Sequence, residues 1–514
     1  MNHLLAMPVV IPALAGALLL AWGGNRPTAA RVISIIAAAL TAVVAIALIA
    51  QATTGGHQVY ALGEWPAPFG IVLVLDRLSA LLVLLTSAVG LAALAYAVNG
   101  WDQRGRHFHA LLQFQLMGLN GAFLTGDLFN LFVFFEVLLI ASYCLLLHGL
   151  GQPRLRAAVH YVAVNLTGSG VFLIAVSLLY GVTGTLNMAH LAERVAQAPE
   201  ADIALIRAAG MMLLGVFAVK AALFPLYFWL PAAYSSASAP VAALFAIMTK
   251  VGVYAIVRVT TLIFGGDSGA GADLTAPWLL PVALVTLGLA ALGALGAKRL
   301  GELVAYLTVA SVGTMLTAIT AGGAAGLSGA LFYLVHSTLI VAALFLLTDL
   351  LARQRGATGD VITPGPALWQ PTLLGIAFLI ATATVAGAPP SSGFLAKLMI
   401  LKSAQAAHSA AWVWSVILGS SLIALVGCAR AGSMLLWNTT TEREPGAGPA
   451  RPTEWLPLWA LLACSLALVA FASPLQKFTD ATAQQLLSRT GYIAAVIGGT
   501  PDHAPRQFRP GNAP

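Results

Sequence analysis

Apolar runs of about twenty residues follow one another along most of this 514-residue chain. A helix of that length crosses the hydrocarbon core of a bilayer and satisfies its own backbone hydrogen bonds there. Only 8% of the residues are charged, whereas a soluble domain carries roughly 25%. Because so few charges cannot cover a water-exposed surface, the sequence predicts a protein that is solvated mostly by lipid.

The apolar runs predict an all-α polytopic membrane protein with about fourteen transmembrane helices. The first run, residues 1–22, contains neither Lys nor Arg and is long enough to span, so we interpret it as helix 1 and not as a signal peptide. The runs begin near Leu4, Val32, Ile71, Ala110, Leu128, Ala157, Arg207, Pro240, Pro277, Gly301, Leu327, Gln370, Ala411 and Leu456.

Two of the predicted spans are interrupted by helix-breaking residues. Span 7 contains Pro225 and Pro231, and span 12 contains two prolines and two glycines within residues 387–393. Paired broken helices at corresponding positions are typical of inverted-repeat transporters. Since spans 7 and 12 are five helices apart, the pattern predicts two inverted five-helix repeats, spans 4–8 and spans 9–13. The alternative is that prolines are simply commoner in membrane helices.

The same pattern divides the chain into five predicted segments. An amphipathic stretch follows the last span, and the Pro-rich polar tail after it is expected to be disordered. The predicted boundaries are 1–108 for helices 1–3, 109–263 for the first repeat, 275–436 for the second repeat, 454–475 for helix 14, and 476–514 for the amphipathic segment with its tail.

The basic residues predict the orientation, because short cytoplasmic loops are enriched in Lys and Arg. The loops after spans 1, 3, 5, 9, 11 and 13 each carry at least two basic residues, whereas the alternate loops carry almost none. Arg194 and Arg207 are the main exception, and acidic residues accompany them. Both termini are therefore expected on the non-cytoplasmic side.

Five ionisable residues lie deep inside apolar runs, where a charge is costly and usually functional. We call them the titratable row: Glu136, Lys220, Lys250, His336 and Lys397. Titratable groups within reach of a hydrogen bond or a bridging water can pass a proton, so the row predicts a proton relay across the membrane plane. A structural ion pair at Glu136 and a satisfied core histidine at His336 are the alternatives.

Lys220 precedes Pro225 by five residues, and a helix broken at that proline leaves carbonyl groups that a lysine can approach. Desolvation favours the neutral form of a lysine, and a nearby carboxylate favours the charged form. A Glu136–Lys220 pair that forms and breaks would therefore switch Lys220 between holding and releasing a proton. Four other charges lie near run ends, where capping or snorkelling explains them: Asp76, Arg77, Asp127 and Glu302.

Several kinds of chemistry have no support in the sequence. It contains no Walker A motif and no flavin, haem or iron–sulfur pattern, so we expect no cofactor. The cysteines Cys144, Cys428 and Cys464 lie far apart in apolar runs, which predicts neither a disulfide nor a metal site. The net charge of +7 comes from basic pairs between apolar runs, which argues against nucleic acid as a partner.

Four stretches resemble the antiporter-like subunits that complex I shares with the Mrp-type multisubunit cation/proton antiporters, with the Mrp type as the nearer match. The resemblance covers about residues 70–405. The matching stretches are TGDLFNLFVFFEVLLIASY (125–143), VKAALFPLYFWLPAAYSSASAPVAALFAIMTKVGVYAIVR (219–258), KRLGELVAYLTVASVG (298–313) and GAPPSSGFLAKLMILKSA (387–404).

This resemblance implies fourteen helices, two inverted five-helix repeats and broken helices 7 and 12. It also implies partners: Mrp antiporters assemble from six or seven different subunits in the bacterial inner membrane, the A subunit is the one against which a protein of this kind docks, and H⁺ moves against Na⁺ or K⁺. The implied proton path comprises Glu136 of helix 5, Lys220 of helix 7, Lys250 of helix 8, His336 of helix 11 and Lys397 of helix 12.

One position departs from the family pattern. Many relatives carry a lysine five residues after the histidine, where this chain has Val341. The connection between Lys250 and Lys397 is then expected to depend on His336, on waters, or on hydroxyls such as those of Ser337 and Thr338. Two other functions remain open from the sequence: a proton-pumping subunit of complex I or of a membrane-bound hydrogenase, and a scaffold that only holds partner subunits.

Overall fold

The computed structural model describes residues 3–23, 26–65, 69–266, 268–445 and 447–498. The fold predicted from the apolar runs is confirmed, because the described chain is almost entirely helical. Two short strands, β1 (Gln58–Ala61) and β2 (Val72–Leu75), form an antiparallel hairpin in which Gln58 lies opposite Leu75. The predicted disordered tail, residues 501–514, lies outside the described residues.

The described α-helices are numbered here in chain order. They are α1 Met7–Trp22, α2 Pro27–Thr54, α3 Arg77–Ala97, α4 Phe108–Leu124, α5 Leu128–Leu147, α6 Gln152–Thr183, α7 Met188–Ala196, α8 Glu200–Ala221, α9 Trp229–Ser236, α10 Ala239–Leu262, α11 Ala276–Gly296, α12 Leu300–Ala321, α13 Gly323–Gln354, α14 Pro371–Ala386, α15 Ser392–Ser403, α16 Ala410–Gly432, α17 Pro452–Ala470, α18 Ala472–Leu487 and α19 Arg489–Ile497.

Twelve helices in the described chain are long and apolar enough to cross a membrane, so the protein is a multi-pass membrane protein. Two of the predicted spans are shorter. The run from Ala110 forms α4, which has 17 residues, and the run from Gln370 forms α14 and α15 with a break between them. The total of fourteen spans and the two inverted repeats stay predictions.

The structure contains both interruptions at the predicted places. Helix α8 ends at Ala221, and Ala222 then adopts a left-handed backbone with φ of 59°. Helix α14 ends at Ala386, and Gly387 turns the chain with φ of 84°. Proline removes a backbone donor and clashes with the preceding turn, which explains why neither helix continues through its proline segment.

Two helices occupy the centre of the molecule. The apolar windows of α10 and α13 are entirely buried within this chain, whereas only 33% of the corresponding windows of α1, α2 and α16 is buried. Helices α10 and α13 pack against each other, and the broken segments flank them, because α8 packs on α10 and α15 packs on α13. The central helices carry Lys250 and His336.

A buried ion pair joins α3 to α10. The carboxylate of Asp76 lies 2.6 Å from the guanidinium of Arg258, and both side chains are almost fully buried. Asp76 also caps α3 by accepting a hydrogen bond from the backbone N–H of Ser79. Burial disfavours the carboxylate, but the charge of Arg258 and the Ser79 N–H outweigh it, so the pKa of Asp76 lies below its usual value. Arg258 was missed by the sequence reasoning.

Replacement of Arg258 by Gln should destabilise the fold, because it leaves the carboxylate of Asp76 buried without a cation. The cost of breaking such a pair is about 3–5 kcal/mol. The measurement is the unfolding temperature in detergent, with Arg77→Gln as the control, since Arg77 is only partly buried and donates to the Thr53 carbonyl. The double variant Asp76→Asn/Arg258→Gln should recover part of the loss. Equal losses in Arg258→Gln and Arg77→Gln would contradict this assignment.

Candidate proton-translocation site

Seven helices pack side by side in the order α5, α6, α8, α10, α13, α15 and α16. Five of them carry the titratable row, one residue on each of α5, α8, α10, α13 and α15. Lys250 and His336 are fully buried, and Lys220 is 8% exposed. Glu136 and Lys397, at the two ends, are partly buried. The structure therefore places the five predicted residues on a continuous series of packed helices.

Ser169 of α6 links the first two members of the titratable row. Its hydroxyl donates a hydrogen bond to the carboxylate of Glu136, and the ammonium group of Lys220 approaches the same hydroxyl at 3.5 Å. No direct ion pair between Glu136 and Lys220 occurs among the described residues. The contact between Glu136 and Lys220 is thus mediated by a serine, whose hydroxyl can both accept and donate a hydrogen bond.

The environment of Lys220 differs in one respect from the prediction. Its ammonium group lies 3.4 Å from the backbone carbonyl of Asn165 and 3.4 Å from Oδ1 of the same residue, both on α6. It does not bind the carbonyls freed at its own helix break. Instead, the indole N–H of Trp229 donates to the Val219 carbonyl at 3.1 Å. The backbone N–H of Phe224 donates to the Thr286 hydroxyl. These contacts satisfy one carbonyl and one N–H of the broken segment, whereas Lys220 interacts with Asn165 of α6.

A small internal cavity adjoins Lys220. It has a volume of 20 Å³ and is lined by Phe135, Tyr161, Asn165 and Trp229 among others. A volume of about 10–15 Å³ is enough for one water molecule if polar partners are present, and the Lys220 ammonium and the Asn165 amide supply them. The geometry therefore allows one bridging water beside the lysine.

Lys250 has a single hydrogen-bond partner among the described residues. Its ammonium group donates to the hydroxyl of Ser311 on α12 at 2.7 Å, and that hydroxyl donates to the Thr308 carbonyl. Helix α10 lies very close to α8 just beyond this lysine, because a Cβ added to Gly252 would lie 2.4 Å from the backbone nitrogen of Ala221. Glycine at this position brings the helices that carry Lys220 and Lys250 together.

His336 joins α13 to the second broken segment. Its Nδ1 hydrogen-bonds with the hydroxyl of Ser392 at 2.9 Å, and that hydroxyl pairs with Ser465 of α17 at 3.0 Å. The other ring nitrogen, Nε2, is buried and has no hydrogen-bond partner in the described chain. A Cβ on Gly393 would lie 3.0 Å from Nε2. The imidazole therefore keeps one nitrogen available for a proton or a water.

Lys397 binds carbonyls that the second helix break exposes. Its ammonium group donates to the Ala386 carbonyl at 2.8 Å, to the Val385 carbonyl at 3.3 Å and to the hydroxyl of Ser421 on α16 at 2.9 Å. A cavity of 20 Å³ lies beside it and is lined by Thr314 and Tyr333 among others. The contact between lysine and broken helix that the sequence predicted for Lys220 occurs here instead.

The serine hydroxyls that contact the titratable row were not predicted from the sequence. Ser169 contacts two of its members, and Ser311, Ser392 and Ser421 each contact one. The predicted hydroxyl links do not form, because Ser337 and Thr338 both donate to the Leu334 carbonyl within their own helix. Serines and threonines in membrane helices commonly donate to a carbonyl of their own helix. A hydroxyl in an apolar run therefore does not indicate a contact with a titratable residue unless its spatial neighbours are known.

Two of the charges predicted to lie near run ends, Asp76 and Asp127, cap helices. Asp127 caps α5 by accepting from the N–H of Asn130 at 2.9 Å, and Glu302 accepts from the N–H of Lys298 at 3.2 Å. Neither belongs to the titratable row. Val341, where the family resemblance led us to expect a lysine, is fully buried.

Known proteins are similar to this chain along most of its length. Residues 125–425 match the family described as "NADH:quinone oxidoreductase/Mrp antiporter, TM". A relative from Rhizobium meliloti, named as the D subunit of a probable K(+)/H(+) antiporter, is 40% identical, over 97% of this chain and 98% of the relative. One from Alkalihalophilus pseudofirmus, named as the D subunit of a Na(+)/H(+) antiporter, is 36% identical, over 97% of this chain and all of the relative.

A solved structure shows the same fold. A chain of the Mrp complex from Dietzia sp. superposes with a TM-score of 0.85 and 28% sequence identity, covering 97% of this chain and 100% of that chain. The family match spans more than half of the sequence and includes the whole titratable row. This chain belongs to the NADH:quinone oxidoreductase/Mrp antiporter membrane family.

Proposed function

We propose that this chain is the D subunit of a multisubunit Na⁺(K⁺)/H⁺ antiporter and that it provides the proton-translocation path. The observation that carries the proposal is the titratable row itself, five ionisable side chains on neighbouring membrane helices with hydroxyls and water-sized cavities beside them. Ionisable residues inside membrane helices are costly, and they typically mark ion pathways or proton relays. The relatives named as D subunits of antiporters match along nearly the whole chain.

In the proposed mechanism, Ser169 couples the charge of Glu136 to the protonation of Lys220. When the carboxylate and the hydroxyl lie close, the charged lysine is favoured; when that contact weakens, desolvation favours the neutral lysine and a proton leaves. The proton then passes to Lys250 and leaves by way of Lys397. The driving force is about 2.3 kcal/mol per charge for each 100 mV of membrane potential.

The position of Glu136 supports a neighbouring protein beside α5. Glu136 is only partly buried, and it lies on the same face of α5 as the exposed side chains of Phe129, Val133 and Ile140. A carboxylate facing lipid at this depth is costly, so a protein surface should cover it. We propose that other Mrp subunits, the A subunit in particular, surround this chain in a bacterial plasma membrane, with both termini on the non-cytoplasmic side.

Replacement of Lys220 by Ala in the complete gene cluster should abolish cation-dependent ΔpH, because it removes a proton carrier from the row. The assay is Na⁺- or K⁺-induced dequenching of a pH probe in everted vesicles from an antiporter-deficient bacterium. Lys402→Ala is the matched control, since Lys402 is an exposed lysine outside the row. Its vesicles should retain the activity of the unmodified cluster.

Two outcomes of this assay would contradict the proposal. Transport retained in Lys220→Ala vesicles that contain the assembled complex would favour a scaffold role. A silent intact cluster that pumps protons only when NADH or another electron donor is added would assign the chain to a respiratory enzyme.

Replacement of Ser169 by Ala should slow transport about tenfold, because it removes a hydrogen bond between buried polar groups and leaves them without that partner. Ser169→Thr keeps the hydroxyl and should retain most of the activity. Thr167→Val is the control, since the Thr167 hydroxyl bonds only to its own helix.

The pH dependence of transport distinguishes a Ser169 that couples Glu136 to Lys220 from a Ser169 that only packs between helices. Loss of the Ser169 link should shift the pH profile of the remaining activity, whereas a purely structural defect should lower activity equally at every pH. An unchanged rate and pH profile in Ser169→Ala would show that Glu136 and Lys220 are not coupled through this serine.

A further inference from the structure

Tyr333 is a buried tyrosine that lies one helical turn before His336 on the central helix α13. Its side chain is almost inaccessible, with the residue 4% exposed, and the centroid of its ring lies 5.4 Å from that of the His336 ring. Tyr333 was not predicted from the sequence. Because a phenol hydroxyl can donate and accept hydrogen bonds, it adds a proton-exchanging group beside the titratable row.

The cavity of 20 Å³ beside Lys397 is lined in part by Tyr333. The hydroxyl side chains around this space also include Thr314 and Ser421. A volume of about 10–15 Å³ holds one water molecule when two to four polar partners are present, and these side chains supply them. His336 is not among the described residues that line the cavity. A water beside Lys397 therefore meets the phenol and not the imidazole.

Thr314 connects Tyr333 to α12. The Thr314 side chain interacts with the Tyr333 hydroxyl, and it donates its own hydroxyl proton to the Ala310 carbonyl at 2.9 Å. The Thr314 oxygen is therefore left to accept a hydrogen bond from the phenol. Ser311, which binds Lys250, lies one turn before Thr314 on the same face of α12. Tyr333 thus lies between the α12 hydroxyls and the water-sized cavity.

His336 is the competing connection between the two lysines, and its hydrogen bonds run in another direction. Its Nδ1 pairs with the hydroxyl of Ser392 on α15, and that hydroxyl pairs with Ser465 of α17. Its Nε2 faces Gly393 and has no hydrogen-bond partner in the described chain. The imidazole is therefore bonded towards α15 and α17, whereas the phenol of Tyr333 lines the cavity that Lys397 shares.

We propose that Tyr333 carries the proton between Lys250 and Lys397. The inference rests on the proposed function and adds a residue to its proton path, in the half of the row where Val341 supplies no titratable group. The ammonium of Lys250 gives a proton to the hydroxyls of α12. The phenol oxygen receives a proton from that side, while its own O–H proton passes through the cavity water to the neutral amine of Lys397. The phenol is neutral before and after, and one positive charge has moved from Lys250 to Lys397.

The test is Tyr333→Phe in the complete gene cluster, assayed by Na⁺- or K⁺-induced dequenching in everted vesicles. The ring and its contact with His336 remain, and only the hydroxyl is lost. Transport should slow about tenfold, because buried polar groups lose the partner that joins them. Tyr234→Phe is the matched control and should retain the unmodified rate. Tyr234 is 1% exposed, and its buried hydroxyl has no hydrogen-bond partner in the described chain.

The ratio of the transport rates in H₂O and D₂O separates a proton carrier from a packing residue. In Tyr333→Phe, proton transfer beside Lys397 becomes the slow step, so deuterium should slow this variant by a larger factor than it slows the unmodified cluster. A packing defect would lower the rates in both solvents by the same factor and leave their ratio unchanged. The amount of assembled complex in the vesicles normalises each rate.

The outcomes separate this inference from the proposed function. Unmodified transport in Tyr333→Phe vesicles, where Lys220→Ala is inactive, would overturn the role of Tyr333 alone and leave His336 as the connection. Slow transport with an unchanged ratio of rates in H₂O and D₂O would also overturn it, by assigning Tyr333 to packing. An intact cluster that gives no cation-dependent ΔpH would overturn the proposed function, and the role of Tyr333 with it.

Discussion

The cost of placing a charge in hydrocarbon governs the central part of this molecule. A lysine or carboxylate at the middle of a membrane is tolerated only where polar groups replace water. Here those groups are serine hydroxyls on neighbouring helices and carbonyls at helix breaks: Lys250 has Ser311, and Lys397 has the carbonyls of Val385 and Ala386. The helices α10 and α13 are buried on all sides, so their charges never meet lipid.

The two helix breaks solve the same backbone problem in different ways. Each leaves carbonyls without helical partners, and irregular backbone at membrane depth must be satisfied by protein or water. At the first break, the indole N–H of Trp229 donates to the Val219 carbonyl, and Lys220 interacts with α6. At the second break, the ammonium group of Lys397 donates to the Ala386 carbonyl. Lys220 is therefore held through Asn165 and Ser169, side chains on another helix, whereas Lys397 is held by its own broken segment.

The apolar runs and the rare charges within them were sufficient to predict the helical fold, both breaks and the helices that carry the titratable row. These features follow from the residue types alone, because a segment in the hydrocarbon core must be mostly apolar and a proline ends or kinks a helix. The hydroxyl connections were not predictable, because Ser169 and Thr338 look alike in sequence and only their spatial neighbours differ. Arg258 was not predicted for a related reason, since its partner Asp76, the N-cap of α3, lies far away in the chain.

Because Val341 is not titratable, the polar groups near Lys250 and Lys397 come from other positions, and two of them lie on α12. Ser311 and Thr314 lie one turn apart on that helix and therefore share a face. Ser311 binds Lys250, and Thr314 lines the water-sized cavity beside Lys397. His336 lies on the central helix α13 and contacts Ser392, which precedes Lys397 by five residues on α15. One hydroxyl of α12 therefore contacts Lys250, a second lines the cavity at Lys397, and the imidazole of α13 contacts the helix of Lys397 through Ser392.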